Sequence, residues 1–153
     1  MAAGARKMPL TGAYSPAYDV ALKIQADVFA ACEQSLTLNT DLFYDIPYRS
    51  PGRGVPQRAV FCVQSAGPGP QSFLDGNTGV CMRYPSVVVF VRSAPHDFTN
   101  GQNLTRGVYD TLHMRLFNNY ISCRMRQSEA FYLDQEANGS FLWSMDCDLM
   151  IVA

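Results

Sequence analysis

The stretch "DQEANGSFLWSMDCDLMIV", residues 134–152, decides the fold, because it reads either as a metal-binding letter cluster or as a strand. Side chains alternate across a β-sheet, so residues two apart share a face. Phe141, Trp143, Met145, Cys147, Leu149 and Ile151 then occupy one parity and Leu142, Ser144, Asp146, Asp148, Met150 and Val152 the other. Cys147 is expected to face the core with Trp143. Asp146 and Asp148 are expected on the opposite face, roughly 7 Å apart. A thiolate and two carboxylates so divided do not converge on one metal ion. Ahead of the strand, Asn138-Gly139 is a hairpin signal, since both residues tolerate positive φ.

The partner of that strand is expected in "ISCRMRQSEAFYL", residues 121–133, which brings Arg124 and Arg126 toward Asp146 and Asp148. Further upstream, "RYPSVVVFVRS" (83–93) holds the strongest strand of the chain. Val87 through Val91 are apolar on both parities, so this strand is expected to be buried on both faces. Pro85 predicts an edge position or a bulge. "RAVFCVQSA" (58–66) is rich in β-formers and reads as another strand, and "SLTLNTDLFYDIPYRSPGRGVPQ" (35–57) as a short strand followed by loop-rich sequence.

Two helices are expected. Ser15-Pro16 is a start signal, and Val20, Ile24, Val28 and Cys32 follow at four-residue spacing, with Ala21 and Phe29 beside them. This predicts a helix over roughly residues 16–34. Leu104, Val108, Leu112 and Leu116 repeat the spacing after "APHDFTNGQ", with Thr99 or Asn100 as the cap. Gly107 in its middle costs about 1 kcal/mol relative to alanine. Helix, strands, helix and hairpin in this order predict an α+β fold. Its sheet is mixed and mostly antiparallel, with two main helices and a C-terminal β-hairpin.

Composition narrows the function. The chain has 153 residues, which suits one domain, here residues 15–153 behind a flexible arm over 1–14. Charged residues make up only 16%, lean for a small monomer's surface, which favours oligomerisation. Net charge is −1 and no Lys/Arg run exists, which argues against nucleic-acid binding. The five cysteines contain no CxxC pair, so neither a zinc site nor a disulfide framework is expected. The first residues lack a long apolar run, and no signal peptide or membrane span is expected.

Chemistry-bearing motifs are sparse. His96 and His113 are the only histidines, and the chain lacks a GxSxG elbow, an HExxH helix, a P-loop and a GxGxxG turn. We expect no catalytic residue, metal or cofactor. The competing reading is a small divalent-metal-dependent enzyme using Asp146, Asp148 and one histidine. The arginines offer a different function: Arg49, Arg53 and Arg58 share a loop, Arg92 ends the strong strand, and Arg124 and Arg126 share a parity. Two readings stay open for them: a solvated edge with cross-strand partners such as Asp146 and Asp148, or a protein contact, where arginine is favoured and lysine is not. Together with Tyr84, Val88, Phe90, Asp146 and Asp148, these arginines form the candidate assembly interface.

The order of these motifs resembles bacteriophage tail terminator proteins, which overlap with minor capsid or head–tail joining families. The resemblance rests on a Tyr-Pro strand ending in Val-Arg-Ser (Arg83, Tyr84, Pro85, Val91, Arg92, Ser93). The helix "NLTRGVYDTLHMRL" follows, and then a hairpin with Asp134, Asn138, Gly139 and Phe141. It implies a virion protein of the neck, made in the host cytoplasm and assembled as a hexameric ring. Such a ring caps the tail tube, ends its polymerisation and joins it to the head-completion protein. DNA passes through the lumen without specific binding, and no membrane is involved. Another connector or adaptor ring is the near alternative.

Overall fold

In a computed structural model, the chain is described over residues 16–44, 58–65, 71–72, 81–113, 115–117 and 120–152. The expected arm over 1–14, the Ser15 cap, Arg49 and Arg53 lie outside these residues. Among the described residues two helices, α1 (Pro16–Cys32) and α2 (Phe98–Leu112), accompany nine strands. The strands are β1 (Leu42–Phe43), β2 (Ala59–Ser65), β3 (Gln71–Ser72), β4 (Cys81–Arg83), β5 (Ser86–Arg92), β6 (Arg115–Phe117), β7 (Tyr120–Met125), β8 (Phe131–Gln135) and β9 (Phe141–Val152). The expected class, α+β with a mixed, mostly antiparallel sheet, is the observed one. β1 pairs with β2 in parallel, and the other pairings among these nine strands are antiparallel.

β9 organises the sheet. β5 pairs with it from Ser86↔Asp148 to Arg92↔Leu142, and β2 follows on the far side of β5. β4 continues the β5 register, with Arg83 opposite Ile151. Pro85 therefore marks no bulge. Its carbonyl accepts from the Leu149 N–H at 2.9 Å, and the ring's missing N–H only interrupts the ladder between β4 and β5.

Both helices pack on one face. Val20, Ala21, Ile24 and Val28 of α1 and Leu104, Val108 and Leu112 of α2 meet Val87, Val89 and Val91. Trp143, Met145, Cys147 and Leu149 of β9 complete the core, as parity requires. Full burial of each such Val or Leu contributes about 1.5–3 kcal/mol. Phe29 is a correction: at the outer flank of α1 it is 56% exposed. A second correction concerns β5. Its inner residues are fully buried, but Val88 and Phe90 on the other face are only half-buried, Phe90 against a small cluster of Phe43, Ala59 and Phe61.

α2 begins earlier than expected. Asp97 is the cap, its carboxylate accepting from the Asn100 N–H, while Thr99 and Asn100 lie inside the helix. It also ends earlier, at Leu112, so Leu116 belongs to β6. The two helical glycines serve close packing. A Cβ on Gly107 would stand 2.5 Å from the Cys32 Sγ of α1, and one on Gly101 would stand 2.8 Å from the Trp143 ring.

Candidate functional site

Asp146 and Asp148 project from β9 on the face opposite the helices, beside Ser86 and Val88 of β5. Arg126 follows directly after β7 and reaches over both acids. Its Nη2 lies 2.7 Å from one oxygen of Asp148 and its Nε 3.2 Å from the other, a two-pronged grip. Nη1 stands 3.5 Å from Asp146, and the Ser86 hydroxyl donates to Asp148 at 2.9 Å. The Arg126 guanidinium, with help from Ser86, holds the Asp148 carboxyl below its ordinary pKa.

Asp146 has a second holder. The Gln127 amide donates to its carboxylate at 2.6 Å, and the same side chain's oxygen accepts from the Asp146 N–H at 3.1 Å. Gln127 thereby substitutes for a strand backbone where β7 has ended. The acids are the anchor of an internal charge network. Among the described residues no group of three His, Cys, Asp or Glu side chains is placed to hold a metal ion.

Arg124 and Arg126 were expected on the hairpin mate of β9, which needs correction. "ISCRMRQSEAFYL" is two strands divided by a bend at 126–130. β7 pairs with the later part of β9, Arg124 opposite Asp148, and β8 is the true hairpin mate. In the connection, Ala137, Asn138 and Gly139 form a three-residue loop in which only Gly139 has positive φ, at 95°. Asn138 serves it differently, accepting from the Ser140 N–H, and Asp134 accepts from the Gln135 N–H beside a register shift in β8.

The other predicted interface residues divide. Val88, Phe90, Arg124 and Arg126 lie on or beside the helix-free face with the two acids. Arg58 does not join them: it bonds Asp41 at 2.7 Å and the Ser35 carbonyl at 3.0 Å, tying the start of β2 to the segment after α1. Arg92 is also turned inward. It is 6% exposed and its Nε lies 3.0 Å from Glu136, so it clamps the hairpin turn to β5 and offers no free cation. Tyr84 is half-buried between β4 and β5.

Sequence reasoning missed three features. Gln127 gave no signal, because its role depends on where β7 stops. Glu136 as the partner of Arg92 was equally unreadable. The apolar run Phe131-Tyr132-Leu133 was readable: all five residues of β8 are exposed, an unusual state for such side chains in a strand.

No family model matches the chain, and no curated protein matches it. Among solved structures, it is similar to a chain of the virion of native gene transfer agent (GTA) particle. The TM-score is 0.50 and the identity 15%, over 89% of this chain and 99% of that one. That likeness is one of fold.

Proposed function

We propose that the chain is a structural subunit of a phage-like virion, and specifically a neck ring that caps the tail tube. The observation that carries this reading is the fold shared with a gene transfer agent virion chain along nearly the whole of both. The Tyr-Pro strand, the following helix and the last hairpin support the finer assignment. In this reading residues 15–153 form the ring-building domain, residues 1–14 are an arm, and the subunit assembles as a hexamer. It ends tube polymerisation and presents a surface to the head-completion protein.

The sheet face bearing Val88, Phe90, Arg124, Arg126, Asp146 and Asp148 is the proposed assembly surface. It carries apolar and charged side chains together and has no helix over it among the described residues. Closing a ring takes two different faces on each subunit. The whole-chain net charge of −1 is compatible with a lumen through which DNA passes without being held or read. The enzymatic alternative finds less support, because Arg126 and Gln127 already engage both carboxylates.

The test is to polymerise the cognate tube protein with and without this chain and measure tube length. Capping predicts shorter tubes with this protein at one end. Unchanged tube length with the protein left free in solution contradicts the reading.

A further inference from the structure

The free edge of β8 is built unlike the other surfaces of the domain. Phe131, Tyr132 and Leu133 are 64%, 45% and 43% exposed, and Phe98 of α2 adds 40% beside Tyr132, their rings 6.1 Å apart. Of the seven large apolar side chains exposed among the described residues, four gather at this one edge. β8 pairs only with β9, so its outer N–H and C=O groups have no strand partner among the described residues. Natural edges are guarded by lysine, proline, charge or a bulge; β8 has no lysine or proline, and its guards are Asp134 and a register shift between Tyr132 and Asp134. A cleft runs beside it along α2, between Arg106 and Tyr109 on one side and Glu129 and Ala130 on the other, with Trp143 lining it.

Charge is distributed along β9 in a complementary way. Asp134, opposite Leu142 near the start of β9, and Glu129, just before Phe131, which stands opposite Ser144, flank the β8 edge, and both are exposed. Arg83, Arg115 and Arg124, also exposed, stand around its end, through pairings with Ile151, Cys123 and Asp148. None of the five takes part in a salt bridge among the described residues. Phe131 stands opposite Ser144 and Arg124 opposite Asp148, four residues or about 13 Å apart along β9, and Arg83 lies further on, opposite Ile151. One molecule thus carries an acid-flanked apolar edge and, further along β9, an arginine-bearing end.

We infer that the β8 edge docks on the arginine-bearing end of a second copy of this chain, so that copies join head to tail. An apolar strand edge supplies the contact area, and the acid–arginine match selects orientation against the alternative of edge meeting edge, where Glu129 and Asp134 repel their own kind. A head-to-tail contact uses two different surfaces and closes into a ring when the rotation allows. This deepens the ring reading and rests on it, by naming the two faces a subunit offers its neighbours.

Charge reversal tests it on the full chain. One variant carries Glu129→Arg and Asp134→Arg; the other carries Arg83→Glu and Arg124→Glu. Each alone presents like charges to itself, and self-association measured by sedimentation should weaken at least about tenfold. Mixed together, the reversed edge of one meets the reversed end of the other, and association should return. That recovery also separates lost contact from lost fold. The pair Glu129→Gln with Asp134→Asn, a milder change, should weaken association in the same direction.

A parent chain that stays monomeric, either reversed variant associating like the parent, or a mixture no better than its parts overturns the inference. Its failure is distinct from failure of the capping reading. If the variants still cap tubes as rings, the docking inference falls and the neck function stands. If the mixture recovers association but the parent leaves tube growth unchanged, the docking inference stands and the neck function falls.

Discussion

Gly107 of α2 and Cys32 of α1 meet where the two helices cross, so closely that a β-carbon on the glycine would stand 2.5 Å from the cysteine sulfur and 2.7 Å from its Cβ. Replacing glycine with alanine in a helix ordinarily gains about 1 kcal/mol. Here the added methyl must push α1 away or rotate the thiol out. We expect Gly107→Ala to destabilise by about 1–3 kcal/mol, as overpacking does. Urea midpoints measure it. Cys32→Gly in the same chain should recover part of the loss, whereas a stabilised Gly107→Ala would show the crossing to be looser than described.

The grip of Arg126 on Asp148 sets a pH dependence. The folded carboxyl has a pKa below its unfolded value of about 3.9. Its contribution is therefore fully present above that unfolded value and is lost as pH falls through the folded one. Asp148→Asn should lower the melting temperature at neutral pH, modestly because the pair is part-exposed. The difference from the parent should persist down to about pH 4 and shrink only as pH falls below the unfolded value toward the folded one. An undiminished difference in acid would point to packing at that position and not to charge.

The core thiols should be inert. Cys62, Cys123 and Cys147 are fully buried, and the Cys123 and Cys147 sulfurs are 2.8 Å apart. The Cys123 contact and then burial push Cys147 up, and burial alone pushes Cys62 up, so neither supplies thiolate at neutral pH. Alkylation followed by peptide mass analysis should find these three unmodified in the native protein and modified once it is unfolded. Native-state labelling at the rate of a free thiol would contradict the packing around β9.

Much of this was legible because β9 is a long strand with strict alternation. Trp143 and Cys147 inside, Asp146 and Asp148 outside, follow from parity alone, and Val20, Ile24 and Val28 follow from helical spacing. What failed was local. Residues 126–130 read as continuing strand, since nothing in Arg126-Gln127-Ser128 announces that a glutamine amide will stand in for backbone at Asp146. Arg92 looked like an exposed strand end, but its ion pair comes from Glu136, which the turn brings back across the sheet. Gly107 looked like a flaw in a helix until the neighbouring helix explained it. Such features depend on a second element arriving in register, which spacing within one element does not encode.

Capping of a tail tube by a ring of this chain is the central claim, and electron microscopy of the purified protein with its tube protein tests it most directly. The account predicts a six-fold ring, alone or seated on one end of the tube. A protein that images as a monomer and never joins tubes would contradict it.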